Sequence, residues 1–98
     1  MDRKLPIRSK VLELDGEWEG WQFTARLNTP LQAVADIASG DVDRMMKGLA
    51  RIVLAWNFVD EEGEPMPPPD EHTIGLLPMD LVNVISARFS REMAPPKN

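Results

Sequence analysis

The sequence predicts an α+β domain: an N-terminal β-hairpin packed against about three α-helices, with an acidic, proline-rich connector before the C-terminal helix. Three observations predict it. Apolar and polar residues alternate from Trp21 to Leu27, the period of a half-buried strand. Apolar residues recur at intervals of three and four between Val42 and Trp56, and again between Leu81 and Met93, the period of amphipathic helices. Between these, Asp60 to Glu71 holds six carboxylates, four prolines and no basic residue. Proline lacks a backbone N–H and fixes φ, so Pro65 and Pro67 to Pro69 are excluded from a helix interior or a central strand.

At 98 residues the chain is one domain. It divides into an extended basic arm (1–9), a hairpin with two helices (10–59), the connector (60–77) and the C-terminal helix (78–94). The arm mixes charge with Pro6 and has no period. Lys10 to Leu14 reads as a short strand with Leu12 and Leu14 on one face. Two turns compete to follow it, Asp15-Gly16 and Glu19-Gly20, since glycine adopts positive φ without steric cost. In the second strand Trp21, Phe23, Ala25 and Leu27 face the core, and Gln22, Thr24 and Arg26 face away.

Thr29 is placed to cap the first helix, with Pro30 at its first position and Gln32 completing a capping box. Leu31, Val34, Ala35 and Ala38 form its apolar stripe, and Gly40 ends it. Asp41 caps the second helix, whose stripe runs Val42, Met45, Met46, Leu49, Ile52, Val53 and Trp56. Ile52-Val53-Leu54 has strand propensity, but the continuing stripe favours helix to about Ala55 and then an extended Trp56 to Val59. Glu61-Glu62-Gly63-Glu64 reads as a turn and Pro65 to Asp70 as a polyproline-like passage. Thr73 to Leu77 is irregular or a single turn. Pro78 opens the last helix, striped by Leu81, Val82, Ile85, Phe89 and Met93, and Pro95-Pro96 stops it.

An apolar content of 43% and three tryptophans are enough for a small core and argue against a disordered chain. The absence of cysteine excludes disulfides and thiolate metal sites. No uncharged apolar run of about 18 residues predicts a membrane span. The basic N-terminus lacks the apolar core of a signal peptide. The expectation is a soluble intracellular protein without membrane contact. Net charge is −5, unevenly placed: residues 1–10 carry +3 and residues 60–71 carry −6. An acidic total speaks against nucleic acid as a partner, because phosphate binding needs a basic footprint.

Catalytic signals are weak. Nucleophilic catalysis on serine or threonine needs a base, and the single histidine, His72, sits beside the acidic loop. Asp60, Glu61, Glu62 and Glu64 lack the alternating oxygen ligands of a calcium loop. Gly16 and Gly20 lie between strands and open no helix, so they make no phosphate cradle. No enzyme activity, cofactor or metal is expected. The candidate partner-binding residues are Trp18, Arg44, Lys47, Arg51, Arg88 and Arg91. Trp21 and Trp56 fall on core faces, whereas Trp18 lies off the strand alternation and is expected exposed near the turn. Arg44, Lys47 and Arg51 share one helix face, which is either an ordinary solvated face or one that meets the acidic loop folded back over it or an acidic partner. Arg88 and Arg91 lie outside the stripe of the last helix.

Two segments carry a family resemblance. One is Leu14-Asp15-Gly16-Glu17-Trp18-Glu19-Gly20-Trp21, followed by the strand ending Arg26-Leu27-Asn28. The other is Trp56-Asn57-Phe58-Val59-Asp60-Glu61-Glu62-Gly63-Glu64-Pro65-Met66-Pro67, followed by Leu77-Pro78 and an amphipathic helix. Over residues 10–93 the chain resembles the small tail assembly chaperones of long-tailed bacteriophages and prophages. The resemblance implies a non-enzymatic protein in the bacterial host cytoplasm. It would bind hydrophobic segments of the tape-measure protein or another phage tail protein, keep them soluble, and help tube subunits polymerise around them. Two other readings stand beside it. The +3 arm with Pro6 suits a structural virion component of the tail or head–tail connector, ordered on assembly. The six clustered carboxylates suit a small acidic regulatory protein that imitates a nucleic-acid backbone.

Overall fold

The computed structural model describes residues 6–93. The order of elements is β1 (Ser9–Glu13), β2 (Gln22–Arg26), α1 (Leu31–Ala38), α2 (Val42–Ile52), β3 (Val53–Trp56), α3 (Glu71–Ile74) and α4 (Met79–Met93). The architecture is α+β. A three-stranded antiparallel sheet, ordered β1-β2-β3, buries one face against the helices. Leu12, Phe23, Ala25 and Val53 supply the sheet's share of the core. Leu49 and Ile52 of α2, Ile74 of α3, and Leu81, Val82, Ile85 and Phe89 of α4 supply the helices' share.

The hairpin forms as the alternation predicts, with Leu12 opposite Phe23 and Glu13 opposite Gln22. Its connection uses both candidate turns. Gly16 (φ 67°) opens a single 3-10 turn over Gly16–Trp18, and Gly20 (φ 90°) reverses the chain after it. The Leu14 N–H donates to the Trp21 carbonyl at 2.9 Å and closes the loop. Of the predicted arm, residues 1–5 lie outside the described residues. The rest is tied down: the Leu27 N–H donates to the Arg8 carbonyl at 2.7 Å. The Asn28 side chain accepts from the Arg8 N–H at 2.9 Å and donates to the Pro6 carbonyl.

The second helix ends earlier than its stripe predicts. α2 stops at Ile52 and the chain passes directly into β3, so Val53 to Trp56 is strand. Pairing with β2 satisfies backbone groups that the open edge of a two-stranded hairpin would leave to solvent. A bulge between Thr24 and Ala25 pairs Ala55 with Thr24 and Val53 with Ala25. Leu54 is the extra residue and stays exposed. Val53 and Trp56 therefore keep to the inner side in either conformation, which is why helical periodicity runs on through a strand.

α1 turns the opposite way from its predicted stripe. Ala33 and Asp36 are buried and Ile37 is half-buried, while Leu31 is 83% exposed and Val34, Ala35 and Ala38 face outward. The predicted capping box is also absent: the Thr29 hydroxyl donates to the Arg26 carbonyl, and the Gln32 amide donates to Asp36. The cause is close approach of α1 to α2. A Cβ on Gly48 would lie 2.8 Å from the Ala33 carbonyl oxygen and 2.8 Å from Ile37 Cγ1. The helices meet where both carry least bulk, and that contact, more than the apolar count, decides which face of α1 goes inward. α2 itself begins as expected, with the Asp41 carboxylate accepting from the Arg44 N–H at 3.1 Å.

The last helix buries Leu81, Val82, Ile85 and Phe89 as predicted, but Met93 is 42% exposed. The single turn before it is α3, opened by a reciprocal capping box. Asp70 accepts from the Thr73 N–H, and Thr73 Oγ1 accepts from the Asp70 N–H, each at 2.8 Å.

Gly48→Ala tests the close helix contact. Alanine raises helix propensity by about 1 kcal/mol, yet forcing a methyl between packed helices costs about 1–3 kcal/mol. A net loss of stability is expected, read as a lower urea midpoint. A midpoint equal to or above that of the wild type would show that α1 and α2 do not depend on this approach.

Candidate functional site

Four aromatic rings run in a row from β3 to the hairpin loop. Trp56 stacks on Phe58 (centroids 4.8 Å apart), Phe58 lies against Trp21 (5.0 Å), and Trp21 meets Trp18 edge-on (5.1 Å). Phe58 is buried and the three tryptophans are half-buried around it. Trp18 is thus not the exposed ring that its position off the alternation predicts. Its loop folds back, so the indole packs sideways onto Trp21, with its buried N–H lacking an acceptor among the described residues.

The connector is folded onto this row. Val59 and Pro65 face each other as an antiparallel pair. The flanking bonds run from the Met66 N–H to the Phe58 carbonyl (3.0 Å) and from the Asp60 N–H to the Glu64 carbonyl (2.8 Å). Pro65 therefore occupies a non-hydrogen-bonded pair position, where its missing N–H costs nothing. Asp60 holds the turn between them, its carboxylate accepting from the Glu62 N–H (2.9 Å) and the Glu64 N–H (3.0 Å). Gly63 supplies the positive φ (83°). The Trp56 indole N–H then donates to the Pro67 carbonyl at 3.0 Å. The passage predicted as a polyproline-like connector is fastened at several points. Asn57 adds a further clamp, accepting from the Gln22 N–H and donating from its side chain to the Gly20 carbonyl.

An open groove of about 460 Å³ lies between the hairpin loop, the acidic turn and the α3–α4 junction. Its apolar lining includes Trp18, Trp21, Val59, Met66, Leu76 and Leu77. Leu76 is 62% exposed. Asp60, Glu61 and Glu62 line one side, and exposed Glu17 and Glu19 flank Trp18 in sequence. Trp18 is the one predicted partner-binding residue here. Val59, Met66 and Leu76 were not singled out by sequence. For Leu76 the available signal was a Leu-Leu-Pro run that joins no helical stripe.

The predicted basic residues lie elsewhere, and none of the five lines the groove. Arg44 is paired with Asp36 at 3.0 Å instead of with the acidic loop. Lys47 and Arg51 are exposed along the same helix. Arg88 is largely engaged: it donates to the Glu13 carbonyl (3.2 Å) and to Glu92 (3.1 Å), which also takes Lys10 (2.9 Å). Arg91 is exposed and lies 4.0 Å from Asp15. Arg88 and Arg91 border a separate hollow with Leu14 and Val84. No group of three or more histidine or carboxylate side chains converges as a metal site among the described residues, and none of their helices is long and apolar enough to cross a membrane.

No family model matches the chain, and no curated protein or solved structure matches it.

Among the described residues three carboxylates are held below their ordinary values. Asp36 is lowered first by the Gln32 hydrogen bond and then by Arg44, against the opposing effect of burial. Asp70 is lowered chiefly by the Thr73 N–H, and Glu92 by Lys10 and then Arg88. Each group binds its proton less readily when folded than when unfolded, so each stabilises the fold above the ordinary carboxylate pKa. That contribution is lost as pH falls through the lowered folded value. Asp36→Asn removes one of them. It should be less stable than wild type at neutral pH, and its urea midpoint should fall less between neutrality and strongly acid pH. Parallel midpoint curves for the two proteins would remove Asp36 from the acid response.

Proposed function

We propose that this protein is a non-enzymatic binding factor of the tail assembly chaperone kind. In this reading its groove receives an apolar segment of a tape-measure protein in the bacterial cytoplasm and keeps that segment from self-association. The observation that carries it is the groove itself, with its aromatic and aliphatic lining drawn from the hairpin loop, the connector and the α3–α4 junction. Leu76 and Val59 leave apolar surface to solvent at one place beside aromatic rings, the composition of an interaction site. The sequence resemblance over residues 10–93 supports the choice of partner. Binding of this kind requires shape and burial, with no reacting group or cofactor.

Co-expression with a tape-measure protein tests the reading. The tape-measure protein should become more soluble and co-purify with this chain. Leu76→Glu changes an exposed side chain, so the fold should persist while recovery of the complex drops about tenfold, the effect of losing roughly 1.4 kcal/mol of contact. Unchanged solubility and no co-purification with the wild type would end the proposal. Mass spectrometry of purified particles adds a second readout: the protein should be abundant in lysate and missing from mature tails.

A further inference from the structure

We infer that the groove selects apolar segments flanked by lysine or arginine, and that it discriminates against segments flanked by acidic residues. This rests on the groove being the binding site proposed above and adds the charge of what it takes.

The apolar lining is bordered on one side by carboxylates of the connector turn, and exposed carboxylates stand next to Trp18 in sequence. Glu17 and Glu19 flank Trp18 on the hairpin loop, and Asp60, Glu61 and Glu62 come from the connector turn. The chain leaves this charge unmatched among its described residues. The ion pairs there are Lys10–Glu92, Arg44–Asp36, Arg88–Glu92 and Arg91–Asp15, and none involves Glu17, Glu19, Glu61 or Glu62. Asp60 spends its carboxylate on the turn's own N–H groups, which leaves Glu61 and Glu62 as the outward charges.

An apolar segment lying in the groove beside Glu61 and Glu62 brings its flanking residues within reach of them. Lysine or arginine flanks gain attraction there. Glutamate flanks meet like charge. A phosphate-rich or anionic-lipid surface is repelled for the same reason, which points to a protein segment as the occupant. The preference is electrostatic and largely solvent-exposed, so it should fade with salt while apolar burial does not.

The test uses the full chain and three short synthetic peptides sharing one Leu-Phe-Leu centre, flanked by lysine, glutamine or glutamate. Binding is followed by tryptophan fluorescence, and its location by amide and indole NMR shifts. The lysine peptide should bind about tenfold more tightly than the glutamate peptide at low salt. The difference should shrink toward parity near 0.5 M salt. Glu61→Gln with Glu62→Gln should reduce it at low salt. Equal binding of all three peptides at the groove would overturn the charge preference and leave the groove reading intact. Shifts that avoid Trp18 and Leu76, or binding indifferent to Leu76→Glu, would overturn the groove reading itself. A doubling of mass by sedimentation, with the groove filled in the absence of peptide, would make a second copy the occupant and overturn the inference.

Discussion

The stacking of Phe58 between Trp56 and Trp21 is the interaction on which the working end of the molecule depends. Phe58 follows directly on the sheet and is buried, while its neighbours in space come from β3 and from the end of the hairpin loop. Offset and tilted aromatic pairs contribute about 0.5–1.5 kcal/mol each beyond the area they bury. Trp18 extends the row outward. Without this row the hairpin loop would lose its inner support and the connector its platform. Trp18 and Trp21, at the outer end of the row, pack against the core and also give the groove its aromatic wall.

Much of the scaffold was legible in the sequence, because some signals act over a few residues. The β2 alternation, the Asp41 cap, the turn around Gly63 and the α4 stripe from Leu81 to Phe89 need only nearby chain to express them. The failures share a cause: a distant neighbour decided. The sequence reads Val53 to Ala55 as helix because Val53 and Trp56 fit both periods; strand propensity at Ile52-Val53-Leu54 points the other way, and the open edge of β2 decides for the strand. The face of α1 was reversed because Gly48, fifteen residues beyond Ala33, sets how near the helices come. Trp18 was placed in solvent because nothing local reveals that its loop folds onto Trp21.

The candidate site divides in the same way. Trp18 was found as an aromatic outlier, but Leu76 and Val59 join it only through the connector's return. The charged candidates drew attention by spacing, yet spacing does not reveal whether a charge is already satisfied. Arg44 and Arg88 are held by Asp36 and Glu92, each of which offers a carboxylate on a neighbouring turn or helix. The sequence reads the carboxylates from Glu61 to Glu64 only as a turn. What changes their meaning is the company they keep, since identical acids around apolar rings and around open water act very differently on an approaching chain.

By composition, residues 60–71 look like an interdomain spacer, the sort of segment a protease nicks and an engineer lengthens. The return of Pro65 against Val59, the indole bond to Pro67 and the Asp70 cap remove that freedom at successive points. Cleavage demands a stretch of backbone that can be drawn out into an extended strand, and here only the tip around Glu61 to Glu64 projects without a side-chain anchor beyond Asp60. A nick or insertion at that tip would leave both arms of the turn pinned in place. The same change between Met66 and Asp70 would break the run of bonds from the Trp56 indole to the cap of α3. Tolerance to alteration is thus compressed into four residues of a segment whose composition advertises twelve.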